Sequence, residues 1–85
     1  MCESNRSRLE IVADILENAR GGKIKTHIIY RSNLNNTSFG RYLDVLLGAN
    51  LLEKRDRRYY TTEKGDSFLE IMAKIKKMIS LDTLA

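Results

Sequence analysis

Four cations crowd into five positions of this 85-residue chain: Lys54, Arg55, Arg57 and Arg58, with Glu53 and Asp56 diluting them. Arginine presents a planar fork that donates two hydrogen bonds at once, which suits a phosphate group. A second set, Asn36, Thr37, Ser38 and Arg41, places hydrogen-bonding side chains within one short stretch. Asparagine can read adenine, arginine can pair with guanine or phosphate, and the hydroxyls serve either. Asp44 would repel phosphate, so it is expected to point away or to pair with Arg41. The bland alternative for both sets is solvation alone: a charged turn and a wet helix face.

Other chemistry is thinly represented. There is no nucleophile–base constellation, no glycine-rich phosphate loop and no metal-ligand spacing. His27 is the single histidine, and a lone histidine in a helix is more often structural or solvent-exposed than catalytic. Cys2 is the single cysteine, so neither an intramolecular disulfide nor a cysteine-based zinc site can form. Glu63 and Asp66 near a helix start are explained by the helix dipole. The expectation is therefore no enzyme, no cofactor, no metal and no small-molecule ligand. Lys+Arg number 15 against 11 Asp+Glu, giving a net charge of +4 and a pI near 9.4, a mild pointer to a polyanionic partner. No signal peptide or membrane-length apolar run is visible, and a cytoplasmic, nucleoid-associated location is expected.

The elements that must position these groups follow from periodicity. Residues 1–6 read as a polar tail. Ser7 and Glu10 form a capping-box pattern. Leu9, Val12, Ile15, Leu16 and Ala19 then recur at helical spacing, with Ile11 flanking, and Gly21-Gly22 ends a helix over about 8–20. Lys23 to Arg31 favours a second helix with Ile24, Ile28 and Ile29 or Tyr30 on its stripe, although its β-branched content leaves a strand open. Ser32-Asn33 supplies a turn. Leu34 and Phe39 are spaced for a hydrophobic staple around an Asn35 cap. A third helix over about 36–49 carries Phe39, Leu43, Leu46 and Leu47 on one face, and Tyr42 is expected to pack under the hairpin or beside that stripe. Asn50 is a plausible left-handed terminator. Leu51-Leu52 begins a strand, residues 53–58 form a basic turn, and Tyr59-Tyr60-Thr61 returns. Two helices joined by a short turn, then a hairpin, make a winged helix-turn-helix.

Thr62 caps a last helix, expected over about 63–80. Phe68, Met72, Ile75 and Ile79 are spaced four, three and four, as in a heptad seam, with Ile71 and Met78 widening it. The alternative is that they pack back on their own domain, as Phe68 and Leu69 could. The stripe continues about 15 Å beyond those two at the usual helical rise. A domain this small has little surface to cover it, so a homodimer through the last helix is expected. Residues 81–85 are expected to fray.

The stretches SRLEIVADIL, LNNTSFGRYLDVLLGANLLEK and YYTTEKGDSFLE resemble the archaeal small winged-helix proteins of the 10a type. The paired signals are a leucine-rich helix running into a short strand, and Tyr59, Thr62, Lys64 and Gly65 in the pattern Y-x-x-T-x-K-G. The resemblance covers residues 7 to about 72. It implies a winged-helix domain, an antiparallel coiled-coil dimer of the last helices, and DNA binding in chromatin organisation or transcription control. The family commonly has glycine where this chain has Asn50, and the last helix here is short.

The expected architecture is mainly α with a small β-hairpin (α+β): a winged helix-turn-helix over 1–62 and a dimerisation helix over 63–85. The expected partner is double-stranded DNA, with Asn36, Thr37, Ser38 and Arg41 in the major groove and Lys54, Arg55, Arg57 and Arg58 on phosphates. A protein-interaction adaptor on the same fold is the rival, since fold does not fix function.

Overall fold

The computed structural model describes residues 7–79. The polar tail at 1–6, Cys2 included, and the end expected to fray at 81–85 lie outside the described residues. In order, the elements are α1 (Arg8–Ala19), β1 (Lys23–Ile24), α2 (Lys25–Ser32), α3 (Asn36–Gly48), β2 (Leu52–Arg55), β3 (Arg58–Thr61) and α4 (Glu63–Ile79). Helices dominate, and the strands form one antiparallel sheet in the order β1-β3-β2. This is a winged helix-turn-helix.

Local chemistry starts and stops the helices. At α1, Ser7 Oγ accepts from the Glu10 N–H at 3.1 Å, and Glu10 Oε1 accepts from the Ser7 N–H at 2.8 Å, a complete capping box. At α3, Asn35 Oδ1 accepts from the Ser38 N–H at 2.7 Å. Leu34 and Phe39, on either side of that cap, both pack into the core, as a staple requires. Two asparagines end helices in the left-handed conformation: Asn33 after α2 at φ 58° and Asn50 after α3 at φ 65°. After α3 the Asn50 N–H donates to Leu47 O and the Leu51 N–H to Leu46 O, the paired bonds of a Schellman turn.

The core gathers Ile11, Ile15, Leu16 and Ala19 of α1, Ile28 of α2, Phe39 and Leu46 of α3, Leu52 of β2 and Tyr59 of β3. α1 is its spine and packs against α2, β3 and α4. Two expected core positions are not there. Leu9, in the first turn of α1, is 56% exposed, and Ile11 takes its place against the core. Ile24, expected on the α2 stripe, is 45% exposed, while of the alternatives Ile29 and Tyr30 it is Ile29 that packs inward, beside Ile28 and the buried Ser32.

The sheet corrects the expected two-stranded hairpin. Lys23 and Ile24 are a strand rather than the first residues of α2, pairing antiparallel with Tyr59 and Arg58. The β-branched ambiguity of that stretch is resolved by a partner strand far along the chain. The hairpin itself is tighter than a six-residue basic turn. Its register pairs Leu52 with Thr61 and Arg55 with Arg58, so only Asp56 and Arg57 turn, with Asp56 at φ 55°. Leu51 is a bend and not part of β2.

The start of α4 is clasped onto the end of α3. Thr62 Oγ1 donates to Asn50 O at 2.6 Å, the Thr62 N–H donates to Leu51 O at 3.1 Å, and Lys64 Nζ reaches Ala49 O at 2.9 Å. Thr62 Oγ1 also accepts from the Gly65 N–H at 3.1 Å, which makes Thr62 the expected cap. A Cβ on Gly65 would sit 2.6 Å from both Leu51 O and Thr61 Cγ2. The threonine, lysine and glycine of the Y-x-x-T-x-K-G pattern are thus all joints of the fold. Gly40, inside α3, has nothing within 4 Å of a Cβ built on it. Two alanine substitutions should therefore have opposite signs in urea unfolding. Gly65→Ala should destabilise by about 1–3 kcal/mol through overpacking, and Gly40→Ala should stabilise by about 0.5–1 kcal/mol through helix propensity.

Candidate nucleic-acid interface

Asn36 and Thr37 occupy the first turn of α3, are exposed, and lie beyond the Asn35 cap that fixes the direction of the helix. Arg41, one turn on, is exposed as well. Phe39, Leu43, Leu46 and Leu47 are the face that packs inward, so the helix offers Thr37, Arg41, Asp44 and Val45 to solvent. Asp44 is exposed, and no ion pair joins it to Arg41 among the described residues. Ser38 is placed differently from its neighbours. It is half-buried and lines a groove of about 500 Å³ with Arg8, Val12, Arg41, Tyr42 and Val45. The structure thus puts Tyr42 beside α1, not under the hairpin, and adds Arg8 next to Arg41. Sequence periodicity did not single out Arg8, since nothing local relates the first residue of α1 to α3.

A second recess, about 370 Å³, lies at the turn between α2 and α3, lined by Thr26, Ile29, Tyr30, Asn33, Leu34 and Asn36. Tyr30 and Thr26 join the polar surface around Asn36 in this way.

The wing is built from alternation. Successive side chains in a strand point to opposite faces. Leu52, Lys54, Tyr59 and Thr61 therefore share one face, and Glu53, Arg55, Arg58 and Tyr60 the other, with cross-strand partners as the register gives them. The first face carries the core contacts: Leu52 and Tyr59 are buried, and Thr61 Oγ1 donates to Leu16 O in α1 at 2.5 Å. Lys54 lies at the outer end of that face, with Nζ 5.8 Å from the Tyr59 ring centroid.

On the other face Arg55 and Arg58 stand directly opposite each other, a like-charge pairing that costs stability unless an anion is near. Arg58 Nη1 donates to Gly22 O at 3.2 Å, linking the wing to the turn after α1. Arg55 is held by Glu53, whose Oε2 accepts from Nε at 2.6 Å, and its guanidinium carbon lies 5.0 Å from the Tyr60 ring centroid. The hydrogen bond to Glu53 and the charge of that carboxylate raise the pKa of Arg55 further above its ordinary value. Arg57, at the tip, has no side-chain partner among the described residues. All four predicted cations are exposed, but the strand pleat divides them instead of pooling them.

Gly22 is the seat of this wing. Its φ is +92°, and a Cβ on it would lie 2.4 Å from the Tyr60 ring. Glycine meets both the left-handed backbone and the close approach of the ring. Gly22→Ala should destabilise by about 2 kcal/mol or more, combining the conformational cost and the clash; urea unfolding checks this.

Along α4, Phe68 and Leu69 are half-buried against the core, whereas Ile71, Ile75 and Met78 are exposed, Met78 at 81%. Met72 is half-buried, and Ile79 is the last residue of the helix. No helix among the described residues is long and apolar enough to cross a membrane.

The profile of the winged helix-turn-helix family matches residues 5–80. Two uncharacterised proteins of Methanocaldococcus jannaschii are similar to the chain. One is 34% identical over 61 residues, covering 71% of this chain and 63% of the relative. The other is 31% identical over 78 residues, covering 91% of this chain and 37% of the relative. The chain therefore spans less than two thirds of the length of either. Among solved structures, Sso10a-2, a DNA-binding protein from Sulfolobus solfataricus, superposes with a TM-score of 0.73. It shares 30% identity, with 92% of this chain and 90% of that chain covered.

Proposed function

This chain belongs to the winged helix-turn-helix family, and we propose that it binds double-stranded DNA as a homodimer. In this reading α3 enters the major groove through Asn36, Thr37, Ser38 and Arg41, and the wing meets phosphates through Lys54, Arg55, Arg57 and Arg58. The protein acts as a transcriptional regulator or a nucleoid protein. The observation that carries the reading is the likeness to a DNA-binding protein over 92% of the chain at 30% identity. The exposure of Asn36, Thr37, Arg41 and all four wing cations supports it, because nothing folded covers them.

Dimerisation is supported by α4. Its 17 residues span about 25 Å. Beyond Leu69 the core no longer covers it, yet Ile71, Ile75 and Met78 continue the apolar stripe. The seam is Phe68, Met72, Ile75 and Ile79, with Phe68 shared between the seam and its own core. The antiparallel arrangement follows the 10a-type resemblance. Two modules at a fixed separation would then read two half-sites or two accessible grooves.

Fluorescence anisotropy of a labelled duplex of random sequence, titrated at several salt concentrations, tests the proposal. Submicromolar affinity falling log-linearly with salt is the expected result. No binding even at low salt would sink it and leave the adaptor reading. Within that assay, Arg57→Ala combined with Arg58→Ala should weaken binding to every sequence and lower the salt slope by about two. Arg57 is the cleaner half of the pair, since Arg58 also holds Gly22. Separately, Ile75→Glu should yield monomers in sedimentation, because it places a charge in an apolar seam.

A further inference from the structure

The wing cations differ in what already holds them. Arg55 and Glu53 are two apart on β2 and so share a face. Glu53 stands opposite Tyr60 in the register, and Arg55 lies diagonally across from that ring. Carboxylate, guanidinium and ring therefore close into one set, with a 2.6 Å ion pair at its centre. Arg58 spends one N–H on a neutral carbonyl, Lys54 sits near a ring, and Arg57 has no partner among the described residues.

Resting on the DNA-binding reading, we propose that Glu53 holds Arg55 back from phosphate, so that Arg55 contributes least of the four wing cations and Glu53 sets how tightly the wing grips. A phosphate approaching the Arg55 guanidinium meets the Glu53 carboxylate bonded to the same group. Two anions on one cation repel, so a phosphate on the remaining N–H groups gains less than it would from an unpaired guanidinium. Tyr60, with its ring centroid 5.0 Å from the guanidinium carbon, reinforces the arrangement by holding the group where Glu53 reaches Nε. Exposed ion pairs are weak, so the effect is a modest attenuation and not a lock. Asp56 supplies the internal comparison. It is an acid of the same tip, and no ion pair joins it to Arg55 among the described residues.

The test is a double-variant cycle in the salt-dependent duplex assay. Arg55→Gln alone should leave affinity within about two-fold and lower the salt slope by less than about half a unit. Glu53→Gln should tighten binding by about three- to five-fold and steepen the slope by about one, as Arg55 joins the contacts. In the Glu53→Gln, Arg55→Gln double variant that gain should vanish. Asp56→Asn, compatible with a left-handed backbone, should give a smaller gain that persists without Arg55. Loss of a full slope unit on Arg55→Gln in the wild-type chain overturns the proposal. So does a Glu53→Gln gain that survives removal of Arg55. Titration of the Arg55 Nε–Hε resonance with inorganic phosphate decides the same point without DNA. It should move less in the wild type than in Glu53→Gln; equal movement in the two refutes the withholding. A chain that binds no duplex would overturn the DNA-binding reading, while the phosphate titration would still decide the role of Glu53.

Discussion

The three carbonyls that follow α3 have no helical partner of their own, and the cap and first turn of α4 supply it. Ala49 O takes Lys64 Nζ, Asn50 O takes Thr62 Oγ1, and Leu51 O takes the Thr62 N–H. Thr62 Oγ1 also approaches Leu51 O at 3.2 Å, but a hydroxyl has one proton, and the 2.6 Å contact to Asn50 O is the better use of it. Everything between Leu51 and Thr62 is the wing, so this clasp pins the hairpin at its base. Gly65 permits it, since any side chain there would strike Leu51 O. The left-handed turn at Asn50 aims the chain into the clasp.

The other end of the sheet is fixed by different means. Tyr59 and Tyr60 are adjacent and therefore face opposite ways. Tyr59 is buried in the core, while Tyr60 lies over the bare backbone of Gly22. β1 adds two residues of pairing, and Arg58 adds one hydrogen bond to Gly22 O. The wing is thus held at its base by the clasp, on its inner face by Tyr59 and Thr61, and at its edge by β1. What remains loose of such contacts is the tip. Arg57 sits there, at the part of the hairpin best able to adjust to a surface, with Lys54 and Arg55 beside it and Arg58 anchored to Gly22 O and to β1.

What the sequence made legible was mostly local. Ser7 and Glu10 are three residues apart, as are Asn35 and Ser38, and such bonds need no knowledge of the rest of the chain. Leu34, Phe39, Asn50 and Thr62 were readable for the same reason. The strand at Lys23 and Ile24 was not, because it exists only through Arg58 and Tyr59, some 35 residues away. That miss shifted the start of α2 and put the exposed Ile24 on its inward stripe. Leu9 and Ile11 lie on nearly opposite sides of a helix. Each is at helical spacing from other apolar residues, Leu9 from Val12 and Leu16 and Ile11 from Ile15, so the pattern could not rank them while the covering elements were unknown. In the candidate interface, residue types pointed to exposed cations and exposure followed. Their division between two faces did not, since a six-residue turn has no pleat and a four-residue strand does. The pairing of Arg55 with Glu53 depends on that pleat.

The inner turns of α4 belong to the core through Gly65, Phe68 and Leu69, whereas the turns carrying Ile71, Ile75 and Met78 do not. Yet helix formation is cooperative, so the two halves share one hydrogen-bonded ladder. Any second surface that grips the outer half also suppresses fraying of the inner half, and with it the loosening of the clasp on α3. Occupancy of that outer half would then feed into the free energy of the whole domain by mass action. Were that surface a second copy of the chain, the steadiness of α3 and of the wing would depend on protein concentration, although both lie outside the outer half of α4.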